Sequence, residues 1–225
     1  MIKEILAVFK SDSYMRRAYD RSFKMLDLTH EMFLTAKEVL REKDELLTSI
    51  NINDQDIEVN KFQREVRRDV FTHLTMAGTD ELASGLALVS IVIDIERIGD
   101  YTKNIVEIAS QHKAELKAGY FEEDLKKIED AVCENFKRTI NCFKNSDAAE
   151  AEKLISEYKW VSKLSDKIIE QLITDEEYTL NARSAVALTL YIRSLKRVYS
   201  HLRNVTTSII NPFDRIGYKP KKKQL

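Results

Sequence analysis

The chain has 225 residues, of which 32% are charged and 44% are apolar, and its formal net charge is −1. This balance predicts a soluble protein with a substantial core and gives no support to nucleic acid as an obligatory partner. Only five Gly and two Pro occur, and both prolines, Pro212 and Pro220, lie near the C-terminus. Because nothing before Pro212 strongly breaks a helix, we expect an all-α protein.

Helical periodicity divides each half of the chain into three long helices, and no segment shows the period of two that strands require. In the first half, the predicted helices run from a cap at Ser11–Ser13 to about Lys43, from a loop at Asn51–Asp56 to about Leu74, and from a cap at Thr79 to about Lys117. In the second half, they cover about Phe121–Lys144, a segment from the Ser146–Asp147 cap to about Leu172, and about Asn181–Ile210.

The two halves are related to each other by an offset of 100 residues. This offset superposes the third helix on the last one without a gap, and the identical pairs include Ser84 with Ser184, Leu88 with Leu188, Arg97 with Arg197 and Asn104 with Asn204. We interpret the match as a duplication. The expected organisation is two tandem three-helix bundles, residues 1–118 and 119–212, followed by a basic tail at 213–225. A single irregular six-helix bundle is the alternative.

No apolar run approaches the length of a transmembrane helix, and the N-terminal residues contain no apolar core of a signal peptide. Cys133 and Cys142 lie nine residues apart in a predicted helix, facing roughly opposite sides, so they cannot bond to each other there. We therefore expect a cytoplasmic protein that reaches a membrane only through a partner. The basic segment Lys219–Lys223 is typical of a disordered, solubilising tail.

An acidic stripe follows the third helix of the first half. Glu96, Asp100 and Asn104 are spaced i, i+4, i+8 on one helix face, with Glu107 close to the same line. Carboxylates stacked in this way repel each other, and a bound cation offsets that repulsion. A mid-helix glycine, Gly99, indicates close approach of a neighbouring helix or ligand. From spacing alone, an ordinary solvated face is as good an explanation as a metal site.

The segment Ile95–Asp100, IERIGD, continued by Asn104-Ile105, closely resembles the LERIGD…NI signature of the PhoU proteins, bacterial regulators of phosphate uptake. A weaker similarity appears at Asp56, Val59 and Asn60, where the family has a D-x-x-V-N pattern. The family's following Glu is Gln63 here. The resemblance implies two tandem three-helix bundles, each with one such motif in its third helix.

The resemblance also implies a metal site. In the family, this motif binds metal ions, so the candidate ligands are Glu96, Asp100 and Asn104, for a divalent or trivalent ion such as Fe, Zn or Mn. His30 is a further candidate, although a histidine without a ligand role is the simpler reading. The second copy has Lys196 and Ser200 where the first has Glu96 and Asp100. We therefore expect any metal in the first unit alone.

By the same resemblance, the protein is expected to be a negative regulator of phosphate uptake and phosphate-responsive signalling. Its partners would be the ATPase of a phosphate ABC transporter and a sensor histidine kinase, and we expect a homodimer. Two rivals remain, an accessory protein of a sodium/phosphate or other transporter and a metal-dependent redox enzyme. A di-iron oxidase needs Glu-x-x-His pairs, and the chain has none. A non-enzyme is therefore expected.

Overall fold

The computed structural model describes residues 14–42, 52–77, 80–112, 114–174 and 180–219. Within these ranges, the chain forms seven α-helices and no strand, which confirms the predicted all-α class. The helices are α1 Tyr14–Arg41, α2 Ile52–Ala77, α3 Leu82–Gln111, α4 Glu122–Asn145, α5 Ala148–Glu157, α6 Trp160–Thr174 and α7 Ala182–Ile210. Short 3-10 turns precede α4 at Gly119–Phe121 and follow α7 at Phe213–Arg215.

Each half forms a helical bundle. In the first unit, α1, α2 and α3 pack against one another, and in the second unit α4, α5 and α6 all pack against α7. The two units share one continuous apolar core. At their junction, the ring of Phe23 on α1 meets Phe143 on α4 at 5.3 Å between centroids, and Phe33 meets Phe136 at 5.9 Å. The predicted unit boundary at residue 118 stays a prediction, because the core crosses it.

The duplicated helices α3 and α7 lie side by side and antiparallel. Asp94 on α3 contacts His201 on α7, whereas Tyr101 contacts Arg197, so residue numbers rise along one helix and fall along the other. An internal two-fold relation between the units follows from this pairing. The two helices that match in sequence at an offset of 100 residues are therefore also neighbours in the structure.

Several helix ends differ from the sequence prediction. Helix α2 begins at Ile52 inside the predicted loop, and α3 ends at Gln111 rather than near Lys117. The predicted fifth helix is broken at Tyr158–Lys159 into α5 and α6. No Gly or Pro marks this break, and Tyr158 is held there by Arg138 of α4, which donates to its hydroxyl at 3.2 Å.

The predicted caps have separate outcomes. Asp147 accepts a hydrogen bond from the backbone N–H of Glu150, so the predicted cap at Ser146–Asp147 is confirmed. Asn181, near which the last helix is predicted to begin, also acts as a cap and accepts the backbone N–H of Ser184. The predicted caps at Ser11–Ser13 and Thr79 lie outside the described residues.

The beginning of the tail is folded against the last helix. Gly217, with a φ of +85°, donates its N–H to the hydroxyl of Thr207, and Asn211 donates to the carbonyls of Arg215 and Tyr218. Residues 213–219 are therefore folded, because α7 supplies these side-chain partners. Of the basic segment Lys219–Lys223, for which disorder is expected, only Lys219 is described, so that expectation stays a prediction. Residues 220–225 lie outside the described part. Among the helices that are described, none is both long and apolar enough to span a membrane.

Candidate functional site

The acidic stripe of α3 lies beside the N-terminal half of α2. Lys103 of α3 is the bridge between the helices, because its ammonium group donates to Asp56 of α2 at 2.9 Å and lies 3.5 Å from Asp100. Asn60, one turn after Asp56, donates its amide to the same Asp56 carboxylate at 3.2 Å. The structure thus brings Asp56 and Asn60, known from the sequence only as a weak similarity, to the side of the predicted stripe.

The carboxylates of the site repel one another, and basic residues offset this only in part. Burial raises the pKa of Glu96 above its ordinary value, and the nearby charges of Asp100 and Asp56 raise it further. Arg97 opposes this, with its guanidinium 2.9 Å from Asp100 and 3.6 Å from Glu96. The pKa of Lys103 is raised in turn, mainly by its hydrogen bond to Asp56.

One oxygen of the site lacks a partner. Oδ1 of Asp56 is buried and accepts no hydrogen bond within the described part of the chain. A buried carboxylate oxygen without a donor costs free energy, and a proton or a cation is what it lacks. The chemistry of the donor set, carboxylate and amide oxygens, suits a hard or borderline cation.

The stripe is nevertheless not arranged as a ready metal site. Over the ranges that the structure covers, no three His, Cys, Asp or Glu side chains are grouped so that they could hold a metal ion together. The ammonium group of Lys103 lies between Asp56 and Asp100 and neutralises them in place of a metal ion. Asn104, the third predicted ligand, is exposed to solvent on the outer side of α3.

Gly99 faces inward at the level of the stripe. A methyl group added there would lie 3.6 Å from Thr29 of α1 and 3.6 Å from Val59 of α2, which is ordinary van der Waals contact. The predicted close approach of a neighbouring helix is therefore present. It is loose enough to accept an alanine, so packing alone does not require this glycine.

His30 lies on another surface of the first unit. Its ring packs against Phe136 of α4, with 4.7 Å between centroids, at the junction of the two units. Burial lowers the pKa of His30, and the charged groups that act on it are Lys137, Asp27 and Glu31 rather than those of the stripe. The structure does not bring His30 together with Glu96 and Asp100, because it faces α4 while they border α2.

The duplicate helix carries different chemistry at the same position. Lys196, which occupies the place of Glu96, forms an ion pair with Asp166 of α6. A lysine paired with an acid across the groove replaces the stacked acids of the first unit. The two units therefore differ in their side-chain contacts at this position as well as in their sequence.

A polar network joins α3 to α7, and no sequence pattern predicts it. One oxygen of Asp94 accepts hydrogen bonds from the ring of His201 at 2.7 Å and from the amide of Asn204 at 2.8 Å. The His201 ring stacks on Tyr101, whose hydroxyl receives the Nε–H of Arg197 at 3.0 Å. Asn204 and Arg197 are residues that both copies of the motif keep, and here they join the helices.

Comparisons with known proteins agree with this architecture. The family model described as PhoU domain matches the chain twice, at residues 23–109 and 125–209. Two similar curated proteins are named phosphate-specific transport system accessory protein PhoU homolog. The one from Deinococcus radiodurans is 26% identical over 203 residues, which are 87% of this chain and 92% of that protein. The one from Pseudomonas putida is 26% identical over 166 residues, 71% of this chain and 63% of that protein.

Solved structures show the same fold. PhoU from Pseudomonas aeruginosa superposes with a TM-score of 0.78 at 21% identity, over 88% of this chain and 95% of that one. The phosphate transport system regulatory protein PhoU from Streptococcus pneumoniae gives a TM-score of 0.74 at 17% identity, over 87% and 93%. With both halves matched by the same family model, the chain belongs to the PhoU family.

Proposed function

We propose that this protein is an accessory protein of phosphate transport that acts in the cytoplasm as a negative regulator of phosphate uptake and of phosphate-responsive signalling. The observation that carries the proposal is the double match to the PhoU domain, together with relatives that are named as accessory proteins of phosphate-specific transport. The match covers 87% of this chain and 92% of the first of these relatives, which supports a comparable role.

The protein acts by docking and not by catalysis. Its partners are the ATPase subunit of a phosphate ABC transporter and a sensor histidine kinase. A rigid double bundle with one continuous core is suited to hold two binding surfaces in a fixed relation. The charged side chains where α2 meets α3 pair with one another, Lys103 with Asp56 and Arg97 with Asp100.

The proposed metal site comprises Glu96 and Asp100, with Asn104 at its outer edge. Asp56 joins them, because its unpartnered buried oxygen is the structural feature that a cation would satisfy. Fe, Zn or Mn bound there would supply positive charge that orders the acidic face. Lys103 competes for the same oxygens, so metal binding requires its ammonium group to move away from Asp56 and Asp100.

Titration with Mn²⁺, followed by calorimetry, tests the metal site. Binding that is lost in Asp100→Asn and strengthened in Lys103→Met supports it, because Lys103 is then shown to be the competitor. Lys196→Met on α7 is the matched control and is expected to leave binding unchanged. In crystals soaked with Mn²⁺, an anomalous signal from the metal at Ser200 but not at Asp100 would contradict the assignment to the first unit.

A homodimer is part of the proposal. Large apolar side chains are exposed on both duplicated helices, Leu86 and Ile93 on α3 and Val186 and Leu190 on α7. Because α3 and α7 pack as an antiparallel pair, these residues form two separate apolar patches, one at each end of the pair. A second copy is proposed to cover the α3 patch, which contains Ile93. Sedimentation of the wild type as a dimer and of Ile93→Glu as a monomer is the expected result.

Direct binding tests the regulatory proposal. The purified ATPase subunit of the phosphate transporter from the same genome is immobilised, and the full chain is passed over it. Saturable binding supports the proposal, and a sodium/phosphate symporter that binds the chain while the ATPase does not would favour the accessory protein of another transporter.

A further inference from the structure

The exposed face of α2 carries an unusual line of side chains. Ile57, Lys61, Arg64, Arg68 and Phe71, here called the cationic ridge, follow the 4-3-4-3 spacing of a coiled-coil seam. All five are exposed, Ile57 by 63% and Phe71 by 70%. With a rise of about 1.5 Å per residue, the ridge is about 21 Å long.

The cations of the ridge are not neutralised within the described part of the chain. Lys61, Arg64 and Arg68 form no ion pair there, although Glu65 lies at the right spacing from Lys61 and Arg68. Glu65 instead pairs with Arg21 of α1 at 3.0 Å.

Two other acids of α2 also pair with neighbouring helices. Asp69 is held by Arg17 and Arg21, and Asp56 by Lys103. Asp54 and Glu58 are exposed near the N-terminal end of α2, whereas the ridge itself holds three cations and no acid.

The composition of the ridge indicates a protein partner. Arginine and aromatic residues are enriched at protein interfaces, and an apolar residue stands at each end of the charged centre. A lipid surface would require the apolar side chains to enter the bilayer apart from the cations. Here Ile57 and Phe71 lie on the same line as the cations, while the opposite face of α2 packs in the core.

A second copy of the chain is a poor occupant. A two-fold contact between two such ridges would set Arg64 and Arg68 against their own counterparts, and like charges across an interface are destabilising. The fitting occupant has apolar residues at the ends of a seam and carboxylates between them.

We propose that the cationic ridge is a docking site for an acidic amphipathic helix of a partner protein, whose Glu or Asp side chains meet Lys61, Arg64 and Arg68 and whose apolar residues cover Ile57 and Phe71. This inference goes beyond the proposed role in phosphate transport and does not depend on it. It also differs from the acidic stripe, which lies on α3.

A designed peptide provides the probe. It is a helix of about three heptads, with Leu at both ends of one seam and Glu at three central seam positions. A second peptide of the same composition has the three Glu on the opposite face. By fluorescence anisotropy, the full chain is expected to bind the first peptide about tenfold more tightly than the second, with affinity falling as salt is added.

Charge reversal makes the test specific. Arg64→Glu with Arg68→Glu is expected to weaken binding of the acidic peptide at least about tenfold and to create binding to its Lys counterpart. The matched control is Lys163→Glu with Lys167→Glu on α6, an exposed pair with the same i, i+4 spacing and the same change in net charge. Far-UV circular dichroism confirms that both variants remain folded.

Three outcomes would overturn the proposal. Equal affinity for the two peptides would show that the position of the Glu residues on the helix does not matter. An equal loss of peptide affinity in the Lys163/Lys167 control variant would show a general effect of net charge. Binding of the wild type, but not of the Arg64/Arg68 variant, to vesicles with phosphatidylglycerol while neither peptide binds would assign the ridge to lipid.

Discussion

Arg41 at the end of α1 holds a buried polar network that spans both units. Its Nε lies 3.0 Å from a carboxylate oxygen of Glu129 on α4, and Tyr191 of α7 donates its hydroxyl to the same oxygen at 2.7 Å. Arg41 also bonds the carbonyl of Leu116 and the carboxylate of Glu122. The Glu129 side chain is only 6% exposed, so Arg41 is its main neutralising charge.

Arg41→Met removes that charge and leaves Glu129 buried with Tyr191 alone. Breaking a buried ion pair in this way costs about 3–5 kcal/mol, a large share of the roughly 5–15 kcal/mol that stabilises a typical domain. For a chain of this size, the melting temperature is expected to fall by at least about 6 °C. Urea denaturation and calorimetry measure both quantities.

The cost depends on pH in a defined direction. Burial raises the pKa of Glu129, and the hydrogen bond from Tyr191 and the charge of Arg41 partly oppose this. Without Arg41, the pKa rises further. A carboxyl group with a raised pKa favours folding when protonated, and this stability is lost as pH rises through the folded-state value. The deficit of Arg41→Met is therefore expected to be larger at pH 8 than at pH 5.

Two variants serve as controls for this reasoning. Arg17→Met, on the same helix, is expected to cost less than about 1 kcal/mol, because Arg17 is half exposed and Arg21 still holds its partner Asp69. Arg41→Met with Glu129→Leu and Tyr191→Phe removes the three buried side chains of the network and is expected to recover most of the loss. A pH-independent deficit below about 1 kcal/mol for Arg41→Met would refute the account.

Three further variants test the packing and the stripe. Gly99→Ala is expected to stabilise the protein by about 0.5–1 kcal/mol, since the new methyl group meets only ordinary van der Waals contacts. In Gly85→Ala the methyl group would lie 3.0 Å from Leu74 and give no gain, and thermal melts compare the two variants. Without metal, Glu96→Gln is expected to be more stable than the wild type at pH 7, because the raised pKa marks an unfavourable carboxylate, and equal to it near pH 4. Phe136→Ala is expected to cost about 3–5 kcal/mol in one transition, with the same midpoint by circular dichroism and by Trp160 fluorescence; two separate midpoints would contradict a shared core.

The fold was largely predictable because periodicity and the scarcity of Gly and Pro act locally. The break at Tyr158–Lys159 was not predictable, since it is accompanied by contacts of Arg138 with Glu150, Glu157 and Tyr158 that no local pattern encodes. The early end of α3 has a similar origin. Beyond it, Leu116 donates its N–H to the carbonyl of Leu40, so the linker is bound to α1 rather than continuing the helix.

The candidate site was predictable only along one helix. The i, i+4 spacing predicted that Glu96 and Asp100 lie on one face of α3. The duplicate helix has Lys196 and Ser200 at the corresponding positions, so it lacks both acids. The partner across the groove, Asp56, is 47 residues away from Lys103, and only tertiary structure joins them. The surroundings of His30 were not predictable for the same reason, because the sequence does not indicate that its side of α1 faces α4.

Phosphate uptake in cells of the source organism tests the central claim most directly. Radiolabelled phosphate import is measured in phosphate-rich medium with the gene deleted and with the full chain restored. The account predicts higher uptake in the deletion strain and return to the original level on restoration. Uptake that is the same with and without the chain would contradict its role as a negative regulator of phosphate transport.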